Sequence, residues 1–289
     1  NPMSNATPIE WCDSTVNPIM GCDGCELWNE KVRACYAGIL HERYGGSSKG
    51  YAKIFTEPET FPGRMAAAAK WRDLTDTDRS DKPWLNGLPR HVFISDMGDA
   101  LSERIPFEFL RDEIIRVVAE WPHIGMWLTK QAHRMESFDA WLAAQGIAWP
   151  SNLMAGVSIT QHGQGARVRS LQRVRARLRF LSIEPIIDDP GEIDFTGIAL
   201  GILGGESGVK ARPTDIGTLR AVLHRMRAAG TRPFVKQLGS APRVEPVEVR
   251  RMGFGRMRID DDGWIHLRDR KGGDPSEWSP DLRVREFPQ

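Results

Sequence analysis

Short apolar runs rich in branched side chains recur along the chain. They cover residues 14–20, 91–95, 124–128, 153–159, 179–183, 198–203 and 233–235. A continuous apolar run of this length is typical of a strand that is buried on both faces, as in a parallel sheet. The runs therefore predict the strands of one parallel sheet.

The segments between these runs have the spacing of amphipathic helices. One apolar stripe begins after Pro106, and a second ends before Gly230. Proline favours the first turn of a helix and glycine favours the position after its end, so both residues fit helix boundaries. The stripe after Pro106 consists of Phe107, Leu110, Ile114, Val117 and Trp121, and the stripe before Gly230 consists of Ile216, Leu219, Leu223 and Met226. Residues 131–146 and 162–176 are also predicted to be helical.

The alternation of strands and helices predicts an α/β protein. A partial (β/α) TIM-like barrel of six to seven parallel strands fits the number of runs, and a doubly wound open sheet is the second alternative. We expect residues 1–242 to form the barrel with an N-terminal cysteine loop. Residues 243–289 are expected to form a small C-terminal appendage with a hairpin that turns at Asp262 and Gly263.

Composition excludes several classes of protein. Hydrophobic residues make up 40% of the 289 positions, and 39 basic residues nearly balance 38 acidic ones, so disorder is excluded as the dominant state. No apolar run is long enough for a transmembrane helix, and no basic and then apolar segment resembles a signal peptide. We therefore expect a cytoplasmic chain without a membrane partner. The motifs of the P-loop, the hydrolase nucleophile elbow and the histidine zinc hydrolases are also absent.

Six arginines and no acid occupy residues 167–179. Their guanidinium groups could form a solvated helix face whose aliphatic stems pack on the protein. They could equally form a stripe that binds the phosphates of a nucleic acid. Both interpretations remain open at this point for Arg167, Arg169, Arg173, Arg175, Arg177 and Arg179.

All four cysteines lie close together in the sequence, at Cys12, Cys22, Cys25 and Cys35. A disulfide framework is typical of small secreted domains, so this cluster favours a metal site. Three thiolates can hold three irons of a [4Fe–4S] cluster and leave the fourth iron open for a ligand. Four thiolates would instead form a closed structural zinc site. The spacing alone leaves both alternatives open.

Polar side chains follow almost every predicted strand. Because functional groups gather at the carboxyl ends of strands in barrels and open α/β sheets, these residues are candidates for a binding site. They are Ser95, Asp96, Thr129, Lys130, Ser158, Thr160, Glu184, Gly204, Gly205, Glu206, Lys236 and Gln237. A capping or ion-paired role is the structural alternative for each carboxylate.

Motifs along nearly the whole chain resemble those of the phage Gp37/Gp68 family, a family of unknown function that is similar to radical S-adenosylmethionine (SAM) proteins such as spore photoproduct lyase. The matching stretches are residues 9–11, 17–18, 21–22, 35–37, 93–96, 128–130, 181–185, 204–208, 234–237, 277–278 and 282–288. The cysteine spacing differs from the family pattern. That pattern has its second cysteine three residues before the Cys-Tyr pair, where this chain has Val32, whereas Cys25 lies ten residues before Cys35.

The resemblance implies a [4Fe–4S] cluster and SAM as cofactors. Cys22, Cys25 and Cys35 would hold the cluster, Cys12 would not, and Tyr36 would shield it. The resemblance implies that Ser95 and Asp96 contact the amino group of SAM and that Ser158 and Glu184 contact its ribose or carboxylate. Residues 201–206, with Gly204, Gly205 and Glu206, would line the adenosine. Lys130 and Lys236 would bind the carboxylate or a substrate phosphate, and Thr129 is a further cofactor-binding candidate.

The function implied is that of an enzyme that cleaves SAM to a 5′-deoxyadenosyl radical, which abstracts hydrogen from a substrate. We expect the substrate to be a nucleic acid base or nucleotide that is modified or repaired. The electron donor is expected to be a flavodoxin or ferredoxin. The alternative is a zinc-stabilised protein that binds nucleic acid or a host partner without catalysis.

Overall fold

The fold is built on one large sheet that is mostly parallel. The computed structural model describes residues 3–45, 49–245 and 257–288. Eight strands pair side by side in the order β1, β2, β5, β6, β7, β8, β9, β11. Their bounds are β1 Met3–Ser4, β2 Ser14–Val16, β5 His91–Ile94, β6 Ile124–Thr129, β7 Leu153–Ile159, β8 Arg179–Ile183, β9 Leu200–Gly204 and β11 Arg232–Gln237.

The sheet is open. β2 pairs with β5, β5 with β6, β6 with β7, β8 with β9 and β9 with β11, all in parallel, whereas β1 runs antiparallel to β2 at one edge. The α/β class and the parallel core agree with the prediction. Because the order begins at β1 and ends at β11, the sheet is not closed into a barrel.

Seven α-helices connect or follow these strands in the described part of the chain. They are α1 Tyr36–Tyr44, α2 Arg64–Ala68, α3 Phe107–Leu110, α4 Arg116–Ala119, α5 Ala132–Ala144, α6 Gly165–Arg173 and α7 Ile216–Ala228. A π-helical turn, Arg111–Ile115, joins α3 to α4, so the predicted helix after Pro106 is one element with a widened turn. Pro106 is its N-cap rather than part of the first turn.

Smaller elements complete the description. Short pairs of strands are β3 Ile19–Met20 with β4 Glu59–Thr60, β10 Thr214–Asp215 with β12 Pro242–Arg243, and β13 Arg258–Ile259 with β14 Ile265–His266. The last pair is antiparallel, and Gly263 at its turn has a φ of 85°. Glycine tolerates this left-handed conformation because it has no Cβ.

The chain divides into two compact units. The first contains residues 1–157 and 170–179, and the second contains residues 158–169 and 180–289. The boundary at residue 243 that the sequence suggested stays a prediction. Within the described part, no helix combines the length and the apolar character that crossing a bilayer requires.

Candidate functional site

In the first unit, Cys22 is positioned by a close contact between the backbones of Gly21 and Gly98. Gly21 and Gly98 form an isolated parallel bridge, and the amide of Asp99 donates to the carbonyl of Gly21 over 3.0 Å. A Cβ on Gly98 would lie 2.3 Å from that carbonyl oxygen, so a side chain there would separate the two segments. Cys22 is therefore held beside the loop that follows β5.

The nine residues between Cys25 and Cys35 fold back on themselves. The backbones of Cys25 and Trp28 exchange two hydrogen bonds of 2.9 and 3.0 Å, and the amide of Cys35 donates to the carbonyl of Leu27 over 3.0 Å. The Asn29 side chain closes the turn, because its Oδ1 accepts two backbone amides and its Nδ2 donates to the carbonyl of Cys25. The nine residues that separate Cys25 from Cys35 in the sequence thus form a turn held by backbone hydrogen bonds, not an extended loop.

The three thiols act on one another electrostatically. Burial raises the pKa of Cys22 well above the usual range for a thiol, and the negative charges of Asp99 and Cys25 raise it further. Burial also raises the pKa of Cys25, where the charge of Lys130 works in the opposite direction and that of Cys35 adds to the rise. The charge of Cys25 thus acts on Cys22 and that of Cys35 acts on Cys25, and the charge of Lys130 favours the thiolate forms of Cys22 and Cys25.

Asp99 joins this cysteine site to the ends of β5 and β6. Its carboxylate is buried and accepts hydrogen bonds from the Thr129 hydroxyl at 2.7 and 2.8 Å, from the Lys130 amide at 3.0 Å and from the Leu101 amide at 3.0 Å. Burial raises the pKa of Asp99, although these hydrogen bonds act to lower it. Asp99 was not a candidate from the sequence, although its position four residues after Ser95 places it in the loop that the strand-end argument singled out.

The loop after β5 also carries a strained and partly unsatisfied residue. Ser95 has a φ of 67°, the only positive φ outside glycine in the described residues, and its buried Oγ has no hydrogen-bond partner there. Beside it, Asn17 Nδ2 donates to Asp96 Oδ1 over 2.6 Å, and the Tyr36 hydroxyl donates to the carbonyl of Asp96. Strain of this kind is concentrated at binding and catalytic sites, so it supports a ligand role here.

Asp96 is expected to make stability depend on pH. Burial raises its pKa to about 6, although the hydrogen bond from Asn17 favours the charged form. Because an unfolded aspartate titrates near about 4, the folded state holds this proton more tightly, and the free energy of unfolding is expected to fall as the pH rises from about 4 to about 6. Urea denaturation across this range measures the effect. Asp96→Asn should remove that part of the slope, whereas the exposed-site variant Asp78→Asn should keep it; equal slopes in all three proteins would contradict the assignment.

Gly38 in α1 is expected to be required for the packing of the cysteine hairpin, the segment from Cys25 to Cys35 that folds back on itself. A Cβ at this position would lie 2.5 Å from the ring of Trp28, whose side chain is fully buried under α1. Gly38→Ala should therefore lower the free energy of unfolding by about 1–3 kcal/mol through overpacking. The matched helix variant is Gly165→Ala, where the nearest atom would be 3.5 Å away and the change should be neutral or slightly stabilising. Thermal and urea melts of the two variants test the difference, and an unchanged Gly38→Ala would refute it.

The second unit has an ion pair at the ends of β8 and β11. Lys236 Nζ lies 2.5 Å from Glu184 Oε1, and both side chains are mostly buried. A Cβ on Gly204 would lie 3.2 Å from the Glu184 carboxyl carbon, so the glycine leaves room for the carboxylate. Of the predicted site residues, the structure thus brings Glu184, Gly204 and Lys236 together.

Glu206 is ion-paired as well. Its carboxylate accepts hydrogen bonds from Arg212 Nη2 at 2.6 Å, from Arg212 Nε at 2.8 Å and from the Arg212 amide at 2.8 Å. Burial acts to raise the pKa of Glu206, but the contacts with Arg212 prevail and hold it below the usual range. Gly205 lies too close to its neighbours for any side chain, because a Cβ would be 2.2 Å from Thr214 Oγ1. The sequence analysis did not identify Arg212 as a partner.

Most arginines of residues 167–179 already have partners on the protein. Arg173 pairs with Glu136, Arg175 pairs with Asp139 at 3.0 Å, Arg179 donates to the carbonyls of Leu171 and Val174, and Arg167 donates to the carbonyl of Ser158. Arg169 and Arg177 are exposed, and Ser158 is buried. Four of the six guanidinium groups therefore have partners on the protein. Only Arg167, Arg169 and Arg173 lie in α6, and Arg179 begins β8, so the six do not form one helix face.

The fourth cysteine lies in different surroundings. Cys12 is completely buried, and its carbonyl accepts a hydrogen bond from Lys82 Nζ at 2.6 Å. None of the four cysteines forms a disulfide. Among residues 3–45, 49–245 and 257–288, no three His, Cys, Asp or Glu side chains stand close enough together to hold a single metal ion.

Comparison with known proteins identifies a family but no activity. No curated protein and no solved structure matches this chain. Residues 6–266 match the family described as "Protein of unknown function (DUF5131)", and this range covers the cysteine hairpin, the loop after β5 and the ion pair of Glu184 and Lys236. Since the match extends over most of the sequence, the chain belongs to the DUF5131 family.

Proposed function

We propose that this protein is a radical SAM enzyme whose [4Fe–4S] cluster is held by Cys22, Cys25 and Cys35. The observation that carries the proposal is the backbone around the cysteines: the segment from Cys25 to Cys35 folds back on itself, and Gly21, next to Cys22, is bridged to Gly98 in the loop after β5. In this view the open sheet corresponds to the partial barrel of that superfamily.

The donor set suits such a cluster. Three thiolates bind three irons and leave one iron for SAM, and the charge of Lys130 favours the thiolate form of Cys22 and Cys25. Because burial raises the pKa of both thiols, assembly must release protons and is expected to be more complete at higher pH. A cluster held by Cys22, Cys25 and Cys35 would supply the one-electron chemistry that reductive cleavage of SAM requires.

The surrounding side chains have distinct roles in this proposal. Asp99 fixes the backbone of Lys130 and, through the Gly21 carbonyl, the position of Cys22. Ser95 Oγ and the Asp96 carboxylate are the proposed acceptors for the SAM amino group. Tyr36, whose hydroxyl donates to the Asp96 carbonyl, is the residue next to Cys35 that the resemblance assigns to shielding the cluster. The other SAM contacts that the resemblance implies, at Ser158, Glu184, Gly204, Gly205, Glu206 and Lys236, stay predictions.

The proposed substrate is a nucleic acid base or nucleotide, and the proposed electron donor is a flavodoxin or ferredoxin. Anaerobic reconstitution with iron and sulfide tests the chemistry. Iron, sulfide and zinc are measured in the product, followed by incubation with dithionite and SAM and detection of 5′-deoxyadenosine. The variant that replaces Cys22, Cys25 and Cys35 together by alanine is the matched control.

About four irons per chain in the wild type, none in the triple variant, and release of 5′-deoxyadenosine are the expected results. One zinc per chain with no 5′-deoxyadenosine would overturn the proposal and favour the zinc-stabilised binding protein. Four irons without SAM cleavage would retain the cluster but overturn the enzyme class.

A further inference from the structure

A strongly basic segment surrounds the third cysteine. Residues 31–54 contain five lysines and arginines but only one acid, Glu42. All five cationic side chains are exposed: Lys31, Arg33, Arg43, Lys49 and Lys53. A run of exposed cations with so few acids attracts a polyanion, because each phosphate that it contacts releases counterions.

Exposed aromatic and aliphatic side chains share this segment with the cations. Tyr36 is 51% exposed and Tyr44 is 55% exposed, and with Ile39 and Ile54 they make up four of the six large hydrophobic side chains that are exposed in the described part of the chain. The Arg43 guanidinium lies 5.8 Å from the centre of the Tyr44 ring. Arg43 and Tyr44 thus contact one another, whereas the Arg33 guanidinium lies 4.6 Å from the centre of the Trp28 ring. We name the exposed side chains of this segment the α1 face and define it by the five cations together with Tyr36 and Tyr44.

The helix geometry explains why this surface is continuous with the candidate site. Tyr36, Ile39 and Arg43 are spaced three and four residues apart, so they follow one side of α1. The opposite side, at Ala37 and His41, is buried. Tyr36 directly follows Cys35, and its hydroxyl reaches the carbonyl of Asp96, so one end of the α1 face lies at the thiols and the loop after β5.

We propose that the α1 face binds single-stranded nucleic acid, with phosphates on the five cations and bases stacked on Tyr36 and Tyr44. Stacking of bases on exposed aromatic rings within a positively charged surface is how proteins hold single strands without reading their sequence. This inference narrows the proposed nucleic acid substrate to a single strand and assigns its binding surface, and it rests on the proposed function in that respect. The proposal places the nucleic acid strand next to the cysteines and not on the arginines of residues 167–179. Most of those arginines already bind carboxylates or carbonyls of the protein.

Fluorescence anisotropy with a labelled single-stranded DNA of about 12 nucleotides, within the site sizes known for single-strand binding domains, tests the proposal on the full chain. Binding is measured over a range of salt concentrations, with and without the reconstituted cluster. Two double variants are compared, Arg43→Ala with Lys53→Ala on the α1 face and Arg169→Ala with Arg177→Ala as the matched control. Tyr44→Ala and its conservative partner Tyr44→Phe test stacking.

The α1-face double variant should lower the slope of log affinity against log salt by about 1.4, because each phosphate contact on a single strand contributes about 0.7. Tyr44→Ala should weaken binding roughly ten-fold, the loss of one stacked base, and Tyr44→Phe should restore it. The matched control should bind like the wild type.

Several results would overturn the assignment. One is that the wild type does not bind the DNA, and another is that both double variants lose affinity for it equally. A third is that poly-glutamate displaces the DNA while Tyr44→Ala keeps the affinity of the wild type, which would point to an acidic protein partner. Since the assay does not require iron, binding of DNA by a chain that fails to cleave SAM would contradict only the proposed enzyme class. Cleavage of SAM without DNA binding would contradict only this inference.

Discussion

Replacing Cys22, Cys25 or Cys35 singly by alanine is expected to remove most of the reconstituted iron, whereas Cys12→Ala keeps it. The charge of Cys25 acts on Cys22 and that of Cys35 on Cys25, and Lys130 acts on both Cys22 and Cys25. Cys12 instead lies in the core beneath Lys82. Loss of one of three ligands should weaken iron retention by more than about ten-fold, since removal of even an outer-shell partner costs a metal site about that much.

Iron and sulfide content after anaerobic reconstitution and gel filtration measures this effect. Cys12→Ala is the matched control because it removes the same atom from the same chain, and it should cost only about 1 kcal/mol of stability through a small cavity. Thermal melting of all four variants separates lost iron from lost folding. Loss of metal in Cys12→Ala to the same extent as in the other three would contradict the three-ligand assignment and indicate a four-thiolate zinc site.

Arg79→Ala is expected to cause the largest loss of stability. Arg79 Nε lies 2.8 Å from Asp13 Oδ1, and both side chains are almost completely buried. The same guanidinium donates to the carbonyls of Leu88 and Pro89, and Asp13 Oδ2 also accepts the amide of His91 at 2.8 Å. Removing the arginine leaves a buried carboxylate without its countercharge, which should lower the free energy of unfolding by about 3–5 kcal/mol.

The matched control is Arg116→Ala, which breaks an exposed pair with Asp112 of similar length, 2.9 Å. Exposed pairs contribute little because water and salt screen them, so this variant should change stability by less than about 0.5 kcal/mol. Urea denaturation monitored by tryptophan fluorescence compares the two. A similar small change in both variants would show that the buried pair does not stabilise the fold.

The predicted strands and helices agree with the structure because they depend on local periodicity. The run at residues 153–159 is β7 over its whole length, and the run at residues 179–183 is β8. The stripe that ends before Gly230 corresponds to α7, which ends at Ala228. Each of these predictions uses only the spacing of apolar residues within one element, which the fold does not alter.

The site was predicted less completely because its contacts join distant parts of the chain. The importance of Asp99 arises from its hydrogen bond with Thr129, thirty residues later, and the pairing of Arg175, which follows α6, depends on Asp139 in α5. The linear spacing of the cysteines is also misleading, because the hairpin closed by Asn29 and Trp28 returns Cys35 to Cys25. No pattern in one segment indicates which of its polar side chains is neutralised by another segment.

The sequence by itself thus determined the elements, their α/β order and the set of thiols and polar strand ends that are available for chemistry. The tertiary structure decided that the sheet is open, that Glu206 and most of the clustered arginines are paired, and that exposed cations and tyrosines accompany the third cysteine. The physical reason is that burial of apolar side chains is encoded by periodicity within each element. Charge pairing and exposure depend instead on which elements the folded chain brings side by side.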